Sequence, residues 1–157
     1  MRIGHGYDIH AFAMDATRPL FLGLTRIEDE YGLEGHSDAD VVAHALADAL
    51  LGAADLGDLG TYFSDRDEKW RGVASSVILT ETVRLVHEAG FRCVNGDVTV
   101  IAERPRLSPW RDQMRAALAA VVGAPISVKA TTHEGLGAIG RAEGIAAHAV
   151  VLLEETV

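Results

Sequence analysis

The spacing of apolar and polar residues along the chain predicts β-strands that alternate with α-helices. Apolar residues recur at helical spacing over residues 39–54, 73–89 and 108–123, as in amphipathic helices. Shorter apolar segments predict strands at residues 2–10, 20–24, 91–103, 126–132 and 145–153. Strands interleaved with helices indicate an α/β sheet that has helices packed on one face or on both.

Capping residues mark the ends of the predicted helices. Ser37, followed three positions later by Asp40, resembles a capping box at the start of the first helix. Ser108 and Pro109 are typical of an N-cap and a first helical position, and Gly123 is placed to end that helix.

The last predicted strand, residues 145–153, is apolar on both sides apart from His148. Such a strand must be covered on both faces to keep its side chains from water. If helices cover only one face of the sheet, a partner subunit has to cover the other. We therefore predict a homo-oligomer.

Length and composition favour one globular unit. The 157 residues suit a single domain, and no Pro-, Ser- or Gly-rich run divides them, so we expect one domain over residues 1–157. Because the chain begins at the strand that carries the candidate metal ligands, we expect no second enzyme fused ahead of it.

The charge balance and the cysteine count narrow the classes of partner. A formal net charge of −9 argues against nonspecific nucleic-acid binding, which requires a basic surface. A small polyanion would have to meet local positive charge, such as a metal ion, a helix N-terminus, Lys129 or Arg141. With the single cysteine Cys93, no signal peptide and no apolar run long enough for a bilayer, we expect a cytoplasmic protein without membrane contacts.

Asp8 and His10 lie two positions apart on the first predicted strand. Residues i and i+2 of a strand point to the same side, so both side chains can reach one metal ion. A catalytic zinc ion takes three protein ligands and leaves its fourth position to water or substrate. A third ligand is therefore required from elsewhere in the chain.

His44 is the predicted third ligand. It lies in the first helix between Asp40 and Asp48, one turn away on either side, and acidic neighbours can fix the tautomer of a metal-binding imidazole. The alternative is a surface histidine in salt bridges with the two aspartates, and the metal interpretation holds only jointly with the strand pair. We discount His5 as a fourth ligand because it lies an odd number of residues from both members of that pair.

Other polar segments suit anions or hard cations, and each also has a simpler interpretation. Residues 35–38 combine an imidazole, a hydroxyl and backbone N–H groups at a helix start, which suits an anion, although Ser37 can be only a cap. Residues 129–134 place threonine hydroxyls beside a carboxylate, which suits a hard divalent ion, although polar residues also end strands. Residues 55–67 are typical of the loop after a helix, and residues 140–144 of a tight connection.

Together, these segments resemble one family over the whole chain: the 2-C-methyl-D-erythritol 2,4-cyclodiphosphate synthases of the non-mevalonate isoprenoid pathway. The matching motifs occur in order: RIGHGYDIH at 2–10, HSDADV at 36–41, HAL at 44–46, DALLGA at 48–53, GDLG at 57–60, KATT at 129–132, Glu134, GR at 140–141 and EGIA at 143–146.

The resemblance implies an α/β (α+β) fold, with a small mixed sheet and helices packed on one face. It also implies a homotrimer in which the sheets meet around the threefold axis and active sites lie between neighbouring subunits. Asp8, His10 and His44 would bind zinc or manganese. Glu134 would hold a magnesium or manganese ion on the substrate diphosphate.

The resemblance further implies roles at the substrate. His36 and Thr132 would be catalytic and stabilise the transition state. Residues 36–37 and 131–132 would contact phosphates, residues 58–60 and 63–67 the methylerythritol, and residues 102–108 of an adjacent subunit, supported by Lys129, the cytosine. The implied substrate-binding residues are Asp8, His10, His36, Ser37, Asp58, Leu59, Gly60, Phe63, Asp65, Asp67, Ala102, Arg106, Leu107, Ser108, Thr131, Thr132, His133, Glu134, Ala138 and Arg141.

The implied reaction is an intramolecular phosphoryl transfer. The 2-phosphate of 4-diphosphocytidyl-2-C-methyl-D-erythritol 2-phosphate attacks the β-phosphorus and expels CMP. A phosphate oxygen is ionised at neutral pH and needs no general base, so the barrier lies in bringing anions together. Two dications, the N-terminus of the first helix and the hydroxyls of Thr131 and Thr132 are expected to replace a basic surface.

The chain departs from the family pattern at His133, where relatives commonly have threonine, and at Ala138, where they commonly have an aromatic residue. The loss of that ring weakens the expectation that a cavity on the trimer axis binds an isoprenoid diphosphate. Two other interpretations stay open: a phosphohydrolase that activates an outside water, and a non-enzymatic trimer with a structural metal.

Overall fold

The computed structural model describes residues 1–64 and 66–156, with position 29 described by its backbone alone. A 3-10 turn at Glu68–Trp70 precedes the second long helix. The remaining elements, in chain order, are β1 (Arg2–Ala11), β2 (Pro19–Leu22), β3 (Thr25–Tyr31), α1 (Val41–Ala53), α2 (Leu59–Tyr62), α3 (Ser75–Glu88), β4 (Phe91–Ile101), α4 (Arg111–Val122), β5 (Ile126–Thr131), α5 (Gly137–Gly140) and β6 (Gly144–Glu155).

The predicted long helices and the predicted strands are confirmed, and β3 is an addition. Its sequence, TRIEDEY, has mostly charged and polar residues, so no apolar strand pattern identifies it. It forms a separate two-stranded antiparallel sheet with β2.

The predicted N-cap of α1 is wrong. Asp40, not Ser37, is the N-cap, and its carboxylate accepts hydrogen bonds from the backbone N–H groups of Val42 and Ala43 at 3.1 Å each. The Ser37 hydroxyl accepts instead from the N–H of Ala39, at 3.1 Å. Ala39 has a φ of +58°, in the left-handed region, so the helix cannot extend back to Ser37.

The predicted start of α4 is also wrong. The helix begins at Arg111 with Trp110 as its N-cap, because the preceding residues form a turn in which the Trp110 N–H donates to the Leu107 carbonyl. Its predicted end is confirmed, since Gly123 follows the helix in the left-handed conformation with a φ of 75°.

The main sheet has four strands in the order β1-β6-β4-β5. β6 pairs antiparallel with β1 and with β4, whereas β4 and β5 are parallel, so the sheet is mixed as expected. The register places Ile9, Ala146, Ile101 and Thr131 side by side across all four strands. The carboxyl ends of β1, β4 and β5 therefore lie at the same end of the sheet.

Helices cover one face of this sheet. α1 packs on β1 and β6, α3 packs on α1, and α4 packs on β5. On the opposite face, Ile3 and Ile9 of β1 and Val150 of β6 are exposed. We call this uncovered surface of β1 and β6 the open face.

Close packing of α1 on β1 brings the candidate metal-binding residues of the two elements together. A Cβ atom added at Gly6 would lie 1.9 Å from the carbonyl oxygen of Ala45, and one added at Gly4 would lie 1.9 Å from that of Ala49. Only glycine lets the strand approach the helix backbone this closely.

Most of α1 is buried, and His44 belongs to the stripe that is not. The helix positions outside its buried set are His44, Asp48 and Gly52, spaced four residues apart and so on one side of the helix.

None of the helices in the described part of the chain combines the length and the apolar character needed to cross a bilayer.

Candidate metal centre

Asp8, His10 and His44 converge at the junction of β1 and α1. One carboxylate oxygen of Asp8, Oδ2, lies 3.1 Å from Nε2 of His10 and 3.0 Å from Nδ1 of His44. The two strand residues point to the helix side of the sheet because they are two positions apart. The three residues together can hold a metal ion.

The donor atoms of this cluster fit a divalent ion. With metal–nitrogen bonds of about 2.0–2.1 Å and tetrahedral angles, neighbouring ligand atoms lie about 3.3 Å apart. The observed separations of 3.0 and 3.1 Å are close to this value. Two imidazoles and one carboxylate form a three-ligand set of the catalytic kind, with a fourth position left for another ligand.

The cluster also favours the charged form of its carboxylate. Burial raises the pKa of Asp8, but the hydrogen bonds and positive charge of His10 and His44 outweigh it and hold this pKa well below its usual range. For His10, burial lowers the pKa, but the hydrogen bond and negative charge of Asp8, together with a backbone hydrogen bond to Glu34, outweigh burial, so the pKa is raised. A deprotonated Asp8 is the form that binds a metal.

The second ring nitrogen of His44 fixes the orientation of the imidazole. Nε2 lies 3.0 Å from the hydroxyl of Ser75 and 3.2 Å from that of Ser37. The Ser75 hydroxyl in turn donates to Asp38, which also accepts from the Ser75 backbone N–H at 2.9 Å. Because the Ser75 hydroxyl donates to Asp38, its oxygen accepts from the Nε2–H of His44, so that Nδ1 is the nitrogen that faces Asp8 and would lose its proton to bind a metal.

The structure contradicts the expectation that Asp40 and Asp48 are the acidic neighbours that orient His44. Asp40 is fully buried and accepts from backbone N–H groups, including those of Gly23 and Leu24, and Asp48 accepts from the N–H of Leu59. Neither carboxylate is a hydrogen-bond partner of His44. No spacing in the sequence identifies Ser75 as a partner, because it lies 31 positions from His44.

A cavity of about 340 Å³ opens beside His10 and His44. One side is polar, with His36 and Ser37, and the other is apolar, where Phe63 and Trp70 meet edge to face at a centroid distance of 5.0 Å. The complete lining is His10, Gly35, His36, Ser37, His44, Leu59, Phe63, Trp70 and Ile78. Trp70 and Ile78 are additions to the predicted site.

Arg18 holds the loop that carries His36 and Ser37, and the sequence did not identify it. Its Nη2 donates to the carbonyl of Gly35 at 3.1 Å and to that of Ser37. Both bonds fix the backbone on either side of His36. The guanidinium also disfavours protonation of His10, although Asp8 outweighs it.

The loop that follows α1 contributes to the same cavity. Asp58 caps α2, which contains Gly60, by accepting from the backbone N–H of Thr61 at 2.9 Å. The carbonyl oxygen of Asp67 lies 3.3 Å from Nε2 of His36. Asp65, another predicted substrate contact, lies outside the described residues.

A second cluster of predicted contacts lies at the carboxyl ends of β4 and β5. Leu107, Ser108 and Lys129 line a cavity of about 140 Å³, whose other lining residues include Val128 and Ala130. Ala102, at the end of β4, is buried, whereas Arg106 is exposed.

The loop after β5 carries the predicted phosphate and metal contacts. Thr131 is the last residue of β5, and the hydroxyl of Thr132 accepts from the backbone N–H of Glu134 at 3.2 Å. The backbone N–H of His133 donates to Glu103 at 2.8 Å. Farther along, Ala138 lies in α5, and the guanidinium of Arg141 pairs with Glu143 at 2.6 Å.

Within one chain, the two clusters lie apart. Ile9, between Asp8 and His10, and Thr131 are level with each other on the two edge strands of the sheet. Three strand spacings separate them, or about 14 Å. The described cavities at these places have no lining residue in common.

The profile of the YgbB family matches residues 1–154. The chain is similar to 2-C-methyl-D-erythritol 2,4-cyclodiphosphate synthase of Thermosynechococcus vestitus, with 53% identity over 157 residues that cover 98% of this chain and 96% of that protein.

Two solved structures are similar to the fold. Bifunctional IspDF from Campylobacter jejuni superposes with a TM-score of 0.93 at 41% identity over 98% of this chain, which spans 42% of that chain's length. IspF of Plasmodium falciparum, solved as a CDP complex, superposes with a TM-score of 0.85 at 33% identity and covers 99% of this chain and 97% of its own.

Proposed function

Since the chain belongs to the YgbB family of 2-C-methyl-D-erythritol 2,4-cyclodiphosphate synthases, we propose how its residues carry out that reaction. The enzyme converts 4-diphosphocytidyl-2-C-methyl-D-erythritol 2-phosphate to 2-C-methyl-D-erythritol 2,4-cyclodiphosphate and CMP, a step of non-mevalonate isoprenoid biosynthesis. The observation that carries the proposal is the convergence of Asp8, His10 and His44 beside a half-apolar cavity.

Asp8, His10 and His44 hold a zinc or manganese ion in this proposal, and Glu134 holds magnesium or manganese on the substrate diphosphate. Bound divalent ions neutralise phosphate oxygens and so allow two anionic groups to approach each other. The nitrogen-rich set suits zinc, and the exposed carboxylate of Glu134 suits a hard cation.

The polar wall of the cavity binds the phosphates. The Ser37 hydroxyl and the His36 imidazole both line the cavity next to His10. The N-terminus of α1 does not take part, because the carboxylate of Asp40 already accepts from its first N–H groups. Charge neutralisation therefore falls to the two ions, to His36 and, from the second cluster, to Thr132.

The apolar wall favours cyclisation over hydrolysis. Leu59, Phe63 and Trp70 reduce the space for water beside the phosphates, and Asp58 at the start of α2 is placed to bind the methylerythritol hydroxyls. The attacking phosphate oxygen belongs to the substrate and is already ionised, so the site needs no side chain to remove a proton.

The separation of the two clusters supports an active site between subunits. Asp8 and Glu134 are proposed to act on the same diphosphate and so must lie close together, whereas about 14 Å of sheet separates the strand of Asp8 from the loop after β5 within one chain. We place residues 102–108 and 131–134 of a neighbouring copy against the metal ligands, with cytosine in the cavity lined by Leu107 and Lys129.

A homotrimer provides this arrangement and covers the open face. Ile3 is 75% exposed and Ile9 is 45% exposed in the single chain, and burial of such residues favours association. Ala138 and Arg141 would then lie by the trimer axis. We also propose that residues 1–157 form one domain and that the protein is cytoplasmic. In this proposal it binds neither nucleic acid nor a membrane.

The direct test incubates the purified protein with the diphosphocytidyl substrate and Mg²⁺. We expect release of CMP and a cyclic diphosphate, both identified by ³¹P NMR. A linear phosphate product would instead establish the hydrolase alternative.

His44→Ala tests the metal assignment. We expect it to abolish turnover while the assembly sediments as the wild type does. His87→Ala, on the exposed surface of α3, is the matched control and should retain full activity. Full activity in His44→Ala, with the metal still bound, would contradict the assignment.

A further inference from the structure

A pair of histidines on the open face is not used by the reaction. Nε2 of His5, on β1, lies 3.0 Å from Nδ1 of His148, on β6, and both side chains are exposed. The ring of Tyr7 packs on that of His148 at a centroid distance of 4.7 Å. The two imidazoles therefore meet on the face of the sheet that carries no helix.

The separation of the two nitrogens suits chelation of one metal ion. Imidazole nitrogens bind divalent zinc at about 2.0–2.1 Å, so two of them lie about 2.9 Å apart at a right angle and about 3.3 Å apart at a tetrahedral angle. The observed 3.0 Å lies between these values. A metal can replace the proton between the rings without a large movement of either ring.

The scaffold under the pair is rigid. β1 and β6 pair without interruption from Arg2–Leu153 to Ala11–Gly144, and Tyr7 lies directly opposite His148. His5 lies two residues before Tyr7, so the two histidines are diagonal neighbours on the same face of one ladder. Binding would cost little ordering of the backbone.

This pair is separate from the first metal cluster. Asp8 and His10 point to the helix side of β1, whereas His5 has the opposite parity and points to the open face. The expectation that His5 is not a fourth ligand of that cluster agrees with this placement. A metal at the pair would therefore be additional to the one at Asp8, His10 and His44.

We propose that His5 and His148 form a second metal site, which binds a divalent transition-metal ion such as Zn²⁺, Ni²⁺ or Cu²⁺. Imidazole nitrogen suits these ions, whereas Mg²⁺ requires oxygen ligands and is excluded by the same chemistry. The net charge of −9 favours cations at the protein surface. Exposed Val150 and Ile3 flank the pair with apolar surface, which strengthens the bonds to a metal.

The test removes the first site and titrates the second. Full-length His44→Ala protein, stripped with a chelator, is titrated with Cu²⁺ and followed by electron paramagnetic resonance. We expect a signal split by two imidazole nitrogens. Adding His148→Ala, or independently His5→Gln, should weaken Cu²⁺ binding at least tenfold and remove that splitting. Adding His87→Ala, in an exposed position on α3, should change neither.

Zn²⁺ stoichiometry of the wild-type protein gives a second measurement that needs no variant. We expect more than one Zn²⁺ per chain, because the first cluster binds one ion and the histidine pair adds to it. The total is two per chain if each histidine pair binds its own ion, and one and one third per chain if the pairs of three chains share one ion. His148→Ala, otherwise wild type, should bind one and keep its turnover. The proposal is overturned if the wild type binds no more than one Zn²⁺, or if both histidine variants bind Cu²⁺ as the His44→Ala protein does.

Discussion

Replacing Ser75 with alanine should weaken metal binding at Asp8, His10 and His44 while the fold is retained. The Ser75 hydroxyl lies 3.0 Å from Nε2 of His44 and itself donates a hydrogen bond to Asp38. Without it, the imidazole loses a hydrogen-bond acceptor that keeps its proton on Nε2 and the lone pair of Nδ1 toward the metal.

The size of the effect follows from the number of acceptors. Loss of a partner that orients a metal-binding histidine typically costs 10–100-fold in metal affinity. Nε2 of His44 has a second acceptor, the Ser37 hydroxyl at 3.2 Å, so we expect the lower end for Ser75→Ala. This corresponds to about tenfold, or about 1.4 kcal/mol. The double variant Ser37→Ala/Ser75→Ala should approach about 100-fold.

The assay is competition for Zn²⁺ with a chromophoric chelator at fixed pH. Ser76→Ala is the matched control, because Ser76 is the next residue of α3 and is not among the hydrogen-bond partners found for the His44 ring. Thermal unfolding of the metal-free proteins checks that Ser75→Ala is folded, with a loss of about 1 kcal/mol expected from one hydrogen bond. Zn²⁺ affinity within twofold of the wild type in both Ser75→Ala and the double variant would refute the reasoning.

Two further predictions concern packing and pH. Gly6→Ala should lower the free energy of unfolding by several kcal/mol, because the added Cβ would lie 1.9 Å from the carbonyl oxygen of Ala45. Gly52→Ala should raise the free energy of unfolding by about 0.5–1 kcal/mol, because a Cβ there meets no neighbouring atom within 4 Å and alanine favours the helix. Urea unfolding measures both, and equal effects would contradict the packing argument. In EDTA, the stability that the His10–Asp8 pair contributes is present between the ordinary pKa values of Asp8, 3.8, and His10, 6.5, and is lost as the pH rises through the raised pKa of His10. His10→Gln should remove this loss, and an unchanged pH profile in that variant would exclude His10 as its source.

Local patterns account for the parts of the site that were predicted. Asp8 and His10 share one side of β1 because side chains alternate along any strand, and the same alternation separates His5 from them. His44 was proposed from its position in an amphipathic segment and from the requirement for a third ligand. The order of motifs along the chain then indicated the family.

Other features depended on residues that are distant in sequence. Asp40 became the cap of α1 because Ala39 takes a left-handed conformation, and it is fully buried under backbone donors from residues 23 and 24. Arg18 holds the carbonyls on either side of His36 from a different segment of the chain. Neither contact has a periodic or spacing signal.

The sequence by itself determined the alternation of strands and helices, the candidate metal pair of β1 and membership of the family, because each depends on local periodicity or on residues in fixed order. Only the tertiary structure decided which serine orients His44. It also decided that the two clusters of predicted substrate contacts lie at opposite edges of one sheet. It also decided that His5 meets His148 across 143 positions. The physical reason is that these contacts depend on strand order and close packing, which join residues with no fixed separation along the chain.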